Sequence, residues 1–356
     1  MKLLIITQVI DTEHPVLGFF HRWVEEFAKH CKEVHVICLE AGKQSLPANV
    51  TVHSLGKEDY LWKRCDLKEE ERRGRSFLEA QILKIKYTFR FYKYIWRLRK
   101  EYDQVFVHMN QEYVLLAGLI WKISGKPVEM WRNHYSGNWL TRLAGWLCQT
   151  VYYTSNASYT AAFSNSKQMP IGIDPELFKV QPVERRVDSL LYVGRIASSK
   201  RIHLILEALD EARINKPNLT LTIVGGVVDE AGALYKRQLE QIVSEKSLPV
   251  TFTGPVAWQQ LPEIYSTHEL CINLSPPGMF DKVIGEALLC GCDVVTTNLD
   301  LERVLGSRTL KTAEVKDLSK FFVSHEYNQD DVSLLKQVVT KEHSLPTLVE
   351  KVINRS

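Results

Sequence analysis

Residues 269–297 leave the rest of the chain few options. Glu269 to Leu274 reads as a buried strand, and Ser275-Pro276-Pro277-Gly278 ends it in a turn, because two prolines and a glycine cannot continue a strand. From Lys282 the pattern becomes helical, with Val283, Ile284, Ala287 and Leu288 recurring at helical spacing. Gly291 stops that helix, and Asp293 to Thr297 reads as a second buried strand. The loop therefore delivers the chain into a helix N-terminus, where free backbone N–H groups and the helix dipole favour an anion. Glu286 lies further along that helix, placed to accept hydrogen bonds from a ligand's hydroxyls. On spacing alone, an ordinary βαβ unit with a solvent-facing glutamate fits equally well.

The same alternation starts at the N-terminus. Lys2 to Thr7, Val34 to Leu39 and Val50 to Leu55 read as strands, and Phe19 to about His30 as a helix with Phe20, Trp23, Val24 and Phe27 on one face. Alternating strands and helices predict a parallel sheet, with ligands at the carboxyl ends of its strands. That places the loop around Gly18 at a site, although a plain helix-entry glycine accounts for it nearly as well. No G-x-G-x-x-G follows the first strand, which argues against a dehydrogenase. Asp59 to Arg75 is charge-rich and reads as a solvated connection.

Phe77 to Lys100 is basic and aromatic, and no acid interrupts it from Gln81 onward. Such a helix suits an anionic membrane surface. It also suits a long amphipathic helix that packs Phe91, Tyr94, Ile95 and Leu98 on the sheet and leaves its cations, over 84–100, in water. Gln104 to Met109 is a strand ending in His108, Glu112 to Ile123 a helix, and Pro127 to Trp131 a strand that runs into Arg132-Asn133-His134. His134 thus stands just past a strand's carboxyl end, where a loop histidine is the plain reading. Gln181 to Asp188, with Pro182 and a run of charges, reads as a linker. Beyond it, Leu190 to Gly194 is a strand and turn, and Ile202, Ile205, Leu206 and Leu209 give the apolar face of a helix that Ser198 or Ser199 can cap. Arg195 and Lys200 flank that helix start, as two cations for a diphosphate or as surface charge.

Taken together, these stretches resemble glycosyltransferase family 4, the retaining, nucleotide-sugar-dependent family of GT-B fold. Its C-terminal signature reads roughly Pro-Ser-x-x-Glu-Gly-Phe-Gly, four residues, then Glu-Ala-Met-Ala-Cys-Gly-x-Pro-Val-Val. Ser275, Phe280, Glu286, Ala287, Gly291, Val294 and Val295 match in register, whereas Gly278 stands where the first glutamate is usual. A branch of the family is similar in that glycine and in Asp281-Lys282. Gly194-Arg195 and Lys200 resemble the family's Gly-Arg-x-x-x-x-Lys, and Gly172-Ile173-Asp174 with Phe178 its Gly-Ile-Asp-x-x-x-Phe. The resemblance implies that Arg195 and Lys200 bind the donor's diphosphate and Glu286 its ribose. It implies further donor contacts at Gly18, Val256, Gly278, Met279, Phe280 and Lys282. His134 matches a histidine that contacts the donor sugar or the reacting centre, and His108 and Asn133 are weaker candidates on the acceptor side.

Composition narrows the function classes. A net charge of +3 over 356 residues gives no electrostatic case for nucleic acid. Seven scattered cysteines form neither a disulfide framework nor a usual zinc site and suit a reducing compartment. No run approaches the roughly 18 apolar residues of a membrane span. The expectation is an α/β protein of GT-B fold, two Rossmann-like domains facing across a cleft. Residues 1–180 would be the acceptor domain, 188–335 the nucleotide-sugar domain, and 336–356 a helix crossing back. Its donor would be a UDP- or GDP-linked sugar and its acceptor a glycan or lipid-linked glycan. No metal or other cofactor is expected, and the location is cytoplasmic, peripheral at an anionic membrane through residues 84–100. A non-catalytic transferase-like binding module, or a GT-B sugar-nucleotide epimerase, is the alternative.

Overall fold

Every strand pair in the computed structural model is parallel among the described residues, which are 1–14, 17–59, 77–275 and 281–354, with backbone alone for 77–80. The solvated connection expected at 59–75 falls almost wholly outside them. The chain forms two units, each with one sheet.

The first unit comprises residues 1–153, 158–169 and 349–356. Its strands are β1 (Lys2–Ile10), β2 (Glu33–Ala41), β3 (Val50–Ser54), β4 (Gln104–His108), β5 (Val128–Trp131), β6 (Thr150–Tyr153) and β7 (Ser166–Gln168). They lie in the order β3-β2-β1-β4-β5-β6-β7. The helices are α1 (Phe19–His30), α2 (Phe77–Arg97), α3 (Gln111–Ile123) and α4 (Trp139–Leu147). Successive strand residues point to opposite faces, so the apolar runs cover both. Leu4, Ile6, Val105 and Val107 share one core with Phe91 and Ile95 of α2, Val114 and Trp121 of α3, and Ala144 of α4. Phe106, between two of those residues, turns the other way, its ring 5.2 Å from Phe27 of α1. The helices α2, α3 and α4 therefore form one layer on one face of this sheet. Phe91 and Ile95 are the buried stripe of α2, Leu98 just past its end is buried with them, and Tyr94 is partly buried beside them, as the sheet-packing reading expects.

The second unit comprises residues 154–157 and 170–348. Its strands β8 (Ser189–Val193), β9 (Thr220–Val224), β10 (Val250–Gly254), β11 (Leu270–Asn273) and β12 (Asp293–Thr296) lie in the order β10-β9-β8-β11-β12. The helices are α5 (Ile202–Ala212), α6 (Glu230–Glu245), α7 (Leu261–Ser266), α8 (Lys282–Leu289), α9 (Glu302–Leu305), α10 (Val315–Ser324), α11 (Gln329–His343) and α12 (Leu345–Asn354), the last continuing into the first unit. On one face, Ile202, Ile205, Leu206 and Leu209 of α5 pack with Leu318 and Phe322 of α10, each buried side chain contributing about 2 kcal/mol. On the other, Ile284, Ala287 and Leu288 of α8 pack with Ile173, Phe178 and Val339.

The division between the units therefore falls at 169/170 rather than at a linker over 181–188. The reason is local: Gly172 and Ile173 donate to His343 O at 3.0 Å each, and Leu345 N donates to Ile173 O at 2.7 Å. Of the segment expected to cross back over 336–356, the residues up to His343 belong to α11 in the second unit, the chain breaks at Ser344 just before Pro346, and only the residues from Val349 join the first unit.

One buried polar cluster ties the end of this sheet together. Asp293, 1% exposed at the start of β12, accepts from Arg308 Nε at 2.6 Å and faces His325 Nε2 at 3.1 Å. Burial alone would raise its carboxyl; the bonds from His325 and Arg308 more than offset this and hold it below the usual carboxylate range.

Gly225 follows β9 with φ +142°, and a Cβ there would stand 1.9 Å from the Gly194 carbonyl oxygen. The ends of β8 and β9 can meet only because that hydrogen is not a carbon. Gly225→Ala is expected to cost about 2 kcal/mol or more, from backbone strain and displacement of the Gly194 turn. Thermal unfolding reads this directly; an unchanged midpoint would show that the turn has room.

Candidate functional site

In an open parallel sheet, ligands sit beyond the carboxyl ends of the strands, where the strand order reverses. In the second unit the chain runs outward from β8 to β9 and β10, then returns to β11 beside β8. The β8–β11 ladder pairs only Leu190 with Leu270 and Leu191 with Cys271, so the two strands end as separate lips. The segments leaving those lips carry Arg195 and Lys200 on one side and Ser275 and Asp281 on the other.

Backbone bonds fix the first segment. Gly194 N donates to Val224 O and Ile196 N to Gly226 O, each at 2.9 Å, and Tyr192 Oη donates to Arg195 O at 2.9 Å. The Arg195 side chain is exposed. Neither Ser198 nor Ser199 caps α5, contrary to the sequence expectation. Ser198–Lys200 forms a 3-10 turn, Arg201 takes a left-handed conformation with φ +55°, and α5 begins at Ile202 without a side-chain cap. The tight turn consumes the serine backbone: Arg201 N donates to Ser198 O at 3.0 Å.

Lys200 spans the switch point. Its Nζ donates to Ser275 Oγ at 2.8 Å and to Asp281 Oδ2 at 2.6 Å. The same carboxylate oxygen accepts from Asn273 Nδ2 at 2.9 Å and from Ser275 Oγ. Burial alone would raise the Asp281 carboxyl; the adjacent Lys200 charge and the three hydrogen bonds hold it below its ordinary range. Asp281 is therefore an anion fixed beside a cation at the mouth of the sheet.

Glu286 lies one turn into α8 from Lys282 and accepts from Tyr265 Oη at 3.1 Å. Burial raises the Glu286 carboxyl and lowers the Lys282 ammonium, and each charge partly offsets the shift of the other. Lys282 Nζ also reaches Gly172 O at 3.5 Å. The glutamate is thus not the solvent-facing residue of an ordinary βαβ unit but one member of a partly buried Tyr265–Glu286–Lys282 group. Val256, past the end of β10, is partly buried and packs against the apolar core that contains α8. Gly278, Met279 and Phe280 lie outside the described residues.

The remaining candidates lie in the first unit. Gly18 is at the start of α1 with φ −56°, an ordinary helical value, and its N–H donates to His14 O at 3.0 Å. His108 ends β4, next to β1 at this sheet's own reversal of order. It is buried at 4% exposure, stacked on Phe20 with ring centroids 4.1 Å apart. Its position in an aromatic cluster with Phe19 and Trp23 makes it a core residue. Asn133 is partly buried. His134 stacks on Tyr135 at 4.5 Å, and its Nδ1 accepts from Ser136 N at 3.0 Å. Ser136 Oγ also lies 2.8 Å from the same nitrogen, so the ring is tied to its own loop.

Sequence reasoning missed the roles of Asp281, Asn273 and Tyr265. Asp281 was visible beside Lys282, but its partner Lys200 stands 81 residues away, and nothing local announces a pair across that distance.

Residues 188–322 match the family model described as "Glycosyl transferases group 1". Among solved structures, HepE of Anabaena in complex with UDP and glucose aligns at 18% identity and a TM-score of 0.73, covering 100% of this chain and 99% of that one. An Escherichia coli trehalose-6-phosphate structure bound with UDP-2-fluoro glucose aligns at 12% identity and 0.71, covering 100% and 98%. Sucrose-phosphate synthase from Thermosynechococcus elongatus aligns at 15% and 0.69, covering 99% and 98%. No curated protein matches the chain. These likenesses show the fold, two Rossmann-like parallel-sheet units of GT-B type, and the second unit carries the glycosyltransferase group 1 signature.

Proposed function

We propose that the chain is a retaining glycosyltransferase that moves a sugar from a nucleoside diphosphate sugar, UDP- or GDP-linked, to an acceptor hydroxyl on a glycan or lipid-linked glycan. The observation that carries this reading is Lys200, held by Ser275 and Asp281 at the switch point of the second sheet, with exposed Arg195 on the same segment. Similar structures bound to UDP or to UDP-sugars support the uridine member of the pair.

The chemical difficulty in such a transfer is the charge that develops on the departing diphosphate. Arg195 and Lys200 answer it electrostatically, so the reaction is assigned to a metal-independent class. Glu286, oriented by Tyr265, takes the ribose hydroxyls, and Val256, Gly278, Met279, Phe280 and Lys282 complete the donor contacts. His134 positions the sugar or the attacking group. No covalent nucleophile is invoked, and the acceptor attacks from the face the diphosphate leaves. The protein works in the cytoplasm, peripheral to an anionic membrane through residues 84–100. Among the described residues no helix is long and apolar enough to cross a membrane.

A thermal-shift screen against UDP, GDP, ADP and TDP, each with magnesium and with a chelator, tests the reading. One nucleotide is expected to raise the midpoint equally under both conditions, and Glu286→Ala is expected to abolish that rise. At a hundredfold excess over the dissociation constant the stabilisation is about 2.7 kcal/mol. No shift with any nucleotide would favour a non-catalytic binding module.

A further inference from the structure

We infer that the outer face of the α2–α3–α4 layer docks the first unit onto an anionic lipid bilayer. This surface is wider than the basic stretch 84–100, and much of its apolar contact lies on other helices. Eleven of the twenty-two exposed large apolar side chains among the described residues lie on these three helices, which makes this a patch rather than scatter. On α2, Ile82, Ile85, Phe89, Tyr92 and Trp96 recur at alternating spacings of three and four, a second apolar stripe turned away from the buried one. On α3, Leu119, Ile120 and Ile123 are exposed, and on α4, Trp139, Leu143 and Trp146.

The helices are joined across this face. Tyr92 Oη donates to Leu116 O at 2.9 Å, and Lys122 Nζ lies 3.4 Å from Trp146 O. A soluble helix layer normally turns its polar side outward, so unpartnered apolar residues on three adjacent helices call for a cover.

Charge selects the cover. Across Gln81–Lys100, α3 and α4 the sequence holds one acid, Glu112. Lys86, Lys93 and Arg97 run along one flank of the α2 stripe, Lys100 follows just past the helix end, and all four are exposed. Cations also accompany the tryptophans: Arg99 lies 4.5 Å over the Trp96 ring and Lys122 3.8 Å over the Trp146 ring. The nearest acids beyond α2, Glu101 and Asp103, are held by Lys2. Two copies meeting on this face would bring like charges together. A bilayer matches it instead, taking the tryptophans and aliphatics at its interface and presenting anionic headgroups to the cations. Between α2 and α3 the face contains a cavity of about 260 Å³, walled by Tyr92, Ile95, Trp96 and Ile120 with Arg99 and Lys126 among its lining. An acyl segment suits those walls and a lipid phosphate those cations.

Co-sedimentation of the full chain with vesicles of phosphatidylcholine, and of phosphatidylcholine with phosphatidylglycerol, tests this. Binding is expected to the anionic vesicles and to be far weaker to the neutral ones. Lys86→Gln/Lys93→Gln/Arg97→Gln is expected to lower partition by roughly a hundredfold, about fivefold per cation. Trp139→Ala/Trp146→Ala is expected to lower it about tenfold at unchanged net charge. All five side chains are exposed or rim the surface, so both variants should keep the wild-type unfolding midpoint. The UDP thermal shift, which reads residues of the second unit, serves as the separate measure of the donor site. Absence of wild-type binding to anionic vesicles, or equal binding to neutral ones, overturns the proposal. So does a dimer in sedimentation equilibrium that the tryptophan variant dissolves.

Discussion

Lys200→Ala is expected to lower sugar transfer by about a hundred- to a thousandfold, the usual loss when one charge-stabilising donor is removed from a transition state. The ammonium is the point at which both lips of the second sheet converge, so its removal takes away a cation and a crosslink together. Stability should change little. Asp281 keeps its bonds from Asn273 and Ser275, and its side chain, 22% exposed, remains open to water. Steady-state transfer assays with a fixed acceptor, alongside thermal unfolding, measure the two effects separately. Normal turnover by the variant would remove the diphosphate role. Lys200→Arg is the informative companion, because a planar fork cannot reproduce two bonds from one nitrogen to Ser275 and Asp281.

The largest expected effect on stability is at Asp293, which has no part in the proposed chemistry. Asp293→Ala leaves Arg308 and His325 without their shared acceptor and is expected to cost about 3 kcal/mol, lowering the unfolding midpoint by roughly 10 °C. The pH dependence supplies a second check. The folded carboxyl sits below its unfolded value, so its contribution is fully present above the ordinary aspartate range near pH 4. It is lost as pH falls through the depressed folded value. The stability gap between wild type and Asp293→Asn should therefore be constant at neutral pH and close below about pH 4. A gap that stayed constant into acid would mean that the bonds to Asp293 carry no net charge stabilisation.

Much of this architecture was legible in the chain. Strand and helix positions followed from periodicity, since Val105, Phe106 and Val107 alternate in a strand and Ile202, Ile205, Leu206 and Leu209 recur in a helix whatever surrounds them. Glu286, Arg195 and Lys200 stood out as candidates because each lies within a short local pattern. What was not legible depended on tertiary contact. The packing of residues 170–178 with the second unit depends on α11 and on Leu345, more than 160 residues away, and no composition shift marks it. The left-handed Arg201 was hidden because arginine rarely takes that conformation, and the serines before it advertised a cap. The burial of His108 was missed for a similar reason. A histidine at a strand's end reads as a ligand contact until Phe19, Phe20 and Trp23 of the next helix are seen around it.

The exchange of short segments between the two units sets the order in which the protein can be completed. Thr154–Ala157 sit within the sequence of the first unit but cluster with the second, and the residues from Val349 do the reverse. Val349 and Val352 are fully buried, so the first unit lacks part of its interior until they arrive. On the ribosome, that unit emerges early and waits through the synthesis of nearly the whole second unit for its last helical turn. Neither unit can be cut out as one uninterrupted piece, and loss of the residues from Val349 onward would be felt by the half of the protein that was made first.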